Sequence, residues 1–428
     1  MKIILKNGRV INPENDFDCI CDLMIENGKI LKIEKDIKEN ADKIIDCTDL
    51  IVAPGLIDMH VHLREPGFEY KEDIISGTKA ALAGGFTSVA SMPNTLPVSD
   101  NEETLRYILD KAKKADNCNV YPIASITKDL SGEKLTDFEN LKKCGAIAFS
   151  DDGRPVETSF TMREAVKKAK EIQSVVISHC EDMSLVKGGV INEGITAEKL
   201  KVKGIPNLAE DIMITREIAI AESENAHVHI AHVSTKTGVN FIRDAKKRGI
   251  KVTCETCPHY FSLTEEMVLE KGANAKMNPP LRTKEDMEEI KKGLADKTID
   301  CIVTDHAPHS IDEKSKGLEK APNGIVGLET SLAVSITYLV KQGILTVNEL
   351  IEKMSFNPAK ILGIKKGSLK VGADADITII DENYKWTVDS GKFYSKGKNT
   401  PYNNSELFGK AKYVIVDGKI KVEDYKLV

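Results

Sequence analysis

Pro54-Gly55-Leu56-Ile57-Asp58-Met59-His60-Val61-His62-Leu63-Arg64 is the stretch on which the reading of this chain turns. Together with Ile51 and Val52, Leu56 and Ile57 make it apolar and β-prone, the composition of a buried strand. Side chains alternate along a strand, so His60 and His62 share a face. Two imidazoles on one face at a strand end can bind one metal ion. An isolated His-x-His fits two hydrogen-bonded structural histidines as well. Other strand ends have to decide between the two.

Working outward, the middle of the chain alternates strand and helix. Apolar runs fall near 51–60, 86–92, 119–126, 145–150, 174–179, 227–233, 250–256 and 299–305. Helical spacing fills most of the gaps, as in Ile74 to Ala83, Glu102 to Ala115, Met162 to Ile172 and Leu208 to Ala221. Eight strand–helix units predict an α/β fold of the (β/α)8, TIM-barrel type. A doubly wound open sheet is the competitor. No Gly-x-Gly-x-x-Gly follows the first strand, which removes its usual dinucleotide-binding version.

Catalytic groups of such barrels collect at the C-terminal strand ends. There the sequence places His60, His62 and Arg64, then Asn94, then Asp151-Asp152, His179, His232, Asn278, and finally Asp305 with His309. Five of only nine histidines (His60, His62, His179, His232, His309) sit at or just past these ends. Chance placement is a poor account of that, and a metal site a good one. Imidazole and carboxylate suit zinc and other first-row divalent ions. Two such ions need a shared anionic ligand. Asp151 and Asp152 are the candidates, and alternation allows one of them to face the metals.

Both ends of the chain differ from the middle. Short β-forming runs around Asn7-Gly8 and Asn27-Gly28, and again around Gly372 and Asp417-Gly418, read as strands with hairpin turns. They predict a small β-sandwich domain built from residues 1–50 and 364–428, flanking a barrel over 51–363. Hydrophobic residues are 41%, charged residues 29% and the net charge −6. With no long basic run, this argues against a nucleic-acid or anionic-membrane surface. No apolar run approaches the ~20 residues that span a bilayer. The first residues lack the apolar core of a signal peptide, and nine cysteines are scattered without framework spacing. A reduced, cytoplasmic protein is expected. Cys254-Glu255-Thr256-Cys257, with no second pair, reads as structural.

Taken together, Asp58-Met59-His60-Val61-His62-Leu63-Arg64-Glu65-Pro66-Gly67, Met92-Pro93-Asn94-Thr95, Ser178-His179-Cys180-Glu181, His232-Val233-Ser234-Thr235, Asn278-Pro279-Pro280-Leu281-Arg282 and Asp305-His306-Ala307-Pro308-His309 resemble the motifs of the amidohydrolase superfamily. Within it they resemble the bacterial dihydroorotases of the longer, type I kind. The likeness runs over essentially the whole chain. It implies a zinc-dependent cyclic amide hydrolase of pyrimidine biosynthesis, with two zinc ions per subunit and a bridging hydroxide. His60, His62 and Asp305 would hold one ion, His179 and His232 the second, and Asp152 would bridge them. Many relatives bridge with a carbamylated lysine, and none stands at Ser150-Asp151-Asp152. Asp305 would be the general acid and base. Arg64, Asn94, Asn278 and His309 match substrate-contacting positions, with His62 beside them, and Asn323 and Gly324 match a backbone contact. Asn323 stands where that family usually has Phe. A small-molecule substrate is implied, with a homodimer and association with aspartate transcarbamoylase as the expected assemblies.

Other histidines read differently. Parity puts His227 and His229 on one face and His232 on the other, so the first two are expected to be structural. His259 lies near the rim, and His306 points away from the metals. Ser310 to Gly324 reads as an active-site lid or a passive connection. Two other functions stay open: a dihydropyrimidinase or allantoinase, and a non-catalytic subunit that scaffolds aspartate transcarbamoylase. Arg64 and the missing lysine argue against the first, and the full ligand set against the second.

Overall fold

The computed structural model describes residues 1–428. Leu56–Val61 opens a ring of parallel strands, pairing with Phe86–Ser91, which pairs with Asn119–Pro122. Val176–Ser178, Val228–Ile230, Val252–Thr256 and Cys301–Ile302 form a second parallel run. Phe149 joins the two runs on one side through bridges to Ala124 and Val176. On the other side His306 bridges to Val61. The result is a closed (β/α)8 barrel, as expected. Its fourth member is the shortest. Gly145 enters it in the left-handed region (φ +108°). At its far end the Asp151 carboxylate turns aside to accept from the Ile126 and Thr127 amides at 2.7 and 3.0 Å. Little more than Ala148 to Ser150 remains to pair.

The helices start where the strand ends require them to. Asn101, Thr158, Thr235 and Thr283 each cap the first turn of the helix that follows, accepting from its backbone. Helices Glu102–Ala115, Ser159–Glu171, Lys236–Lys247 and Lys284–Ala295 turn their apolar stripes onto the ring and leave lysines and glutamates in water. No helix is long and apolar enough to cross a membrane.

The single strand expected across 51–60 is two. Ile51–Pro54 runs parallel to Lys2–Asn12 and antiparallel to Ile377–Thr387, inside a nine-stranded sheet drawn from both termini. Leu5, Leu23, Val52, Ile377 and Ile415 lie in that sheet's own apolar core. Gly55 is the joint. Its N–H donates to the Asp376 carbonyl at 2.8 Å, and a Cβ there would meet Thr87 Oγ1 at 2.1 Å. The terminal sheet also reaches over the barrel. Between Ile377–Thr387 and Glu406–Val416 the chain leaves the sheet, and the Lys396 N–H and the Ser395 hydroxyl bond to Glu72.

Packing at Gly55 gives a direct test. Gly55→Ala forces an overlap with Thr87 and is expected to cost about 1–3 kcal/mol. A fall in the urea midpoint with an unchanged slope would show it, whereas an unchanged midpoint would contradict this packing.

Candidate metal centre and substrate cavity

At the C-terminal ends of the barrel strands, six of the expected residues meet. His60 Nδ1 lies 2.6 Å from Glu255 Oε1, which makes Nδ1 the donor and turns the Nε2 lone pair toward Asp152 Oδ1, 3.3 Å away. His60 Nε2 is buried and has no hydrogen-bond partner. His62 Nδ1 sits 2.8 Å from Asn94 Oδ1, and by the same logic its Nε2 lone pair faces Asp305 Oδ1 at 3.0 Å and Asp152 Oδ2 at 3.4 Å. His179 Nδ1 and His232 Nε2 approach to 2.8 Å, and each lies within 3.5 Å of Asp152 Oδ1. Lone pairs and carboxylate oxygens thus converge on one buried point, which only protons or cations can relieve.

The electrostatics agree. Burial pushes His179 down, but Asp152 and Glu181 outweigh it and hold the imidazole up at about 10. Burial pushes Asp305 up, yet His62 and His60 keep its carboxyl below the ordinary range. The pull that holds protons on these imidazoles also favours a divalent cation. Ligand atoms of His60, Asp152 and His232 all fall within 4.8 Å of one another, and so do those of His60, His62 and Asp305. The donor set therefore fits metal ions, with His60 common to both groups.

Asp152, not Asp151, faces this point. Asp151 turns to the 126–127 backbone, and burial pushes its carboxyl up to about 6. His232 and Asp305 reach inward because both sit just past a strand end with φ of +33° and +47°. That break brings His232 inward although parity sets it opposite His227 and His229, which both bond Thr253 Oγ1. His306 points away, toward Glu72 and the Gly327 amide. His259 is buried, with Nε2 unpartnered.

Above the ligands lies a cavity of about 210 Å³, lined by His62, Arg64, Asn94, Asp152, His179, His232, Asn278, Asp305, His309, Asn323 and Gly324, with Gly153 and Ala307. Every substrate-contacting position expected from the sequence is on its wall. It is smaller than the ~300–1,000 Å³ typical of drug-sized pockets, so it suits a small polar ligand. Arg64, itself at φ +63°, donates its Nε–H to the Pro308 carbonyl at 3.2 Å, and its Nη2 lies 3.3 Å from His309 Nε2. No carboxylate pairs with this guanidinium. His309 donates from Nε2 to the Asn323 carbonyl at 2.8 Å.

Sequence reasoning missed three supporting groups. Glu255 receives both His60 Nδ1 and His229 Nε2, the latter at 3.1 Å. Burial opposes its charge, but the two histidines prevail and bring the carboxyl down to about 2. An acid inside the apolar run 250–256 was the available signal. Consequently His229 is more than filler, because it holds the group that orients His60. Glu181, two residues after His179, accepts from His179 Nε2 and from Asn278 Nδ2, both at 3.0 Å.

A closed eight-stranded barrel whose strand ends bring histidines and aspartates together is the architecture of the amidohydrolases. Residues 49–238 match the family model described as dihydro-orotase-like. A dihydroorotase from Syntrophus aciditrophicus is 51% identical over 426 residues, covering 99% of this chain and 100% of that one. One from Geobacter metallireducens is 53% identical over 421 residues, covering 98% and 99%. Among solved structures, the L-hydantoinase (dihydropyrimidinase) from Arthrobacter aurescens superposes with a TM-score of 0.91 at 26% identity, over 100% of this chain and 97% of that one. The chain belongs to the dihydroorotase family.

Because Glu255 orients His60 from behind, Glu255→Ala is expected to lower affinity for a divalent cation, with zinc as the probe, about 10–100-fold. Competition with a chromophoric chelator measures this, and an unchanged affinity would contradict the role.

Proposed function

We propose that this chain interconverts (S)-dihydroorotate and N-carbamoyl-L-aspartate, a step of pyrimidine synthesis. The observation that carries the reading is Arg64, a cation on the wall of a small cavity with no carboxylate partner, beside a cluster of metal-type ligands. A planar guanidinium with a free edge suits a substrate carboxylate. Asn94 strengthens it. Its carbonyl oxygen is occupied by His62, so its amide N–H groups are left for the ligand.

His60, His62 and Asp305 would hold one zinc ion, and His179 and His232 a second, with Asp152 between them. When bound, these ions supply Lewis acidity and make a water molecule acidic near neutral pH. The protein's own residues do the rest. Arg64 and Asn94 hold the ring by its carboxylate and present the ring amide to the ligand cluster. Asp305, kept ionised by His62 and His60, takes a proton from the attacking water as that water adds to the amide carbonyl. Asp305 then returns the proton to the ring nitrogen as the C–N bond breaks. In the reverse direction the ureido nitrogen attacks the protonated side-chain carboxyl group and loses a proton to Asp305, which delivers it to the departing hydroxyl so that water leaves as the ring closes.

A dihydropyrimidinase-like activity is the second reading, favoured by the 0.91 superposition on the L-hydantoinase. Substrates of that kind leave Arg64 without a counter-ion, and no lysine stands at Ser150-Asp151-Asp152.

The test is ring opening by the purified, zinc-loaded chain, followed by ultraviolet absorbance, with (S)-dihydroorotate, dihydrouracil and hydantoin side by side. Turnover confined to dihydroorotate is expected. Turnover of the uncharged rings instead would overturn the reading. Asp305→Ala should abolish kcat with the fold retained. Arg64→Met should raise KM roughly tenfold or more by removing a charge-assisted contact, and an unchanged KM would remove Arg64 from the carboxylate.

A further inference from the structure

Two buried polar side chains outside the cavity converge on its far wall. Lys314 is buried and forms no ion pair. Its ammonium donates to the carbonyls of Pro322 and Gly324 at 3.0 Å each and of Lys276 at 3.3 Å. Burying a charge that only carbonyls satisfy is costly, so the fold keeps it against a penalty. Asn399 is equally buried and comes from the excursion of the terminal sheet. Its amide donates to the carbonyls of Ala307 at 3.1 Å and Gly324 at 3.0 Å, while its oxygen accepts from the His309 N–H at 3.1 Å. Its own carbonyl accepts from the Val326 N–H at 2.9 Å.

Both side chains meet at one atom, the Gly324 carbonyl. On either side of it lie the groups that face the cavity: Asn323, whose carbonyl receives His309 Nε2, and His309 itself. The fit is tight. Gly324 has φ +128°, and a Cβ on it would meet Ala307 Cβ at 2.6 Å and His309 Nε2 at 3.3 Å. Ala307 and Ile325 are also joined, by a 2.8 Å backbone bond. The metal ligands, by contrast, sit on the barrel strand ends and touch neither Lys314 nor Asn399.

We propose that Lys314 and Asn399 are positioning residues that clamp the Ala307–His309 turn to the Asn323–Gly324 backbone, so that the terminal β domain helps to shape the substrate wall without touching substrate. The clamp rests on the reading of the cavity given above. Its loss would slacken binding and spare the proton-transfer step, because Asp305 and the metal ligands keep their supports.

The experiment uses the full-length, zinc-loaded chain with Asn399→Ala and Lys314→Met. Three quantities are read: KM and kcat for (S)-dihydroorotate, zinc content, and amide hydrogen exchange over 306–310 and 320–326. Expected are a KM raised about tenfold with kcat within about threefold, unchanged zinc content, and faster exchange confined to those two segments. Unchanged exchange there, or a fall in kcat at constant KM, would overturn the clamp. If Lys314→Met does not fold, Asn399→Ala carries both readouts alone. If the wild-type chain does not turn over dihydroorotate, the functional reading fails, while the exchange data still decide the clamp.

Discussion

Everything in this molecule serves a convergence that is unfavourable by itself. Four imidazole lone pairs and two carboxylates are brought within hydrogen-bond distance of one another in a buried place. Acceptors facing acceptors repel, and burial strengthens the repulsion. Such a cluster persists because the barrel supplies it from separate strand ends, each held by its own backbone bonds. Three of the imidazoles are also turned by a partner behind them. Asn94 turns His62, Glu255 turns His60, and Glu181 holds His179. These partners fix which imidazole nitrogen keeps its proton, and so which one offers a lone pair inward.

The metal-type ligands and one wall of the cavity depend on different parts of the fold. The ligands rest on parallel strands that close through Phe149 and His306. The wall around His309 and Gly324 rests on the Ser310–Gly324 segment and on an excursion of the terminal sheet. That segment is neither a bare loop nor a plain connection. It contains the helical turn Ile311–Lys314 and returns to the cavity through Asn323 and Gly324. The two sets meet through Asn94, which bonds His62, and through Glu181, which accepts from both His179 and Asn278.

Much of the ligand cluster was legible because strand periodicity and histidine scarcity reinforce each other. His60 and His62 share a face by alternation, and His179 and His232 close other strands of the same barrel. Partners that act across long sequence separations left no comparable mark. Glu255 was visible only as an acid in an apolar run, since nothing in the sequence says that it meets His60. Asn399 lies 90 residues from His309, in a segment with neither strand nor helix periodicity. Gly55 hid a boundary. Apolar residues on both sides read as one strand, although its close approach to Thr87 marks the passage from sheet to barrel. Asp151 and Asp152 could not be told apart by residue type alone. The resemblance singled out Asp152, and the physical reason, that the 126–127 amides claim Asp151, lay in the fold.

The most direct test of the central claim is a calorimetric titration of the metal-free chain with Zn²⁺, performed in buffers of different ionisation enthalpy. The acceptor cluster is expected to take up zinc saturably with release of protons from its imidazoles, and Asp152→Asn should weaken the uptake strongly. Zinc uptake without proton release, or uptake that Asp152→Asn leaves unchanged, would contradict the account.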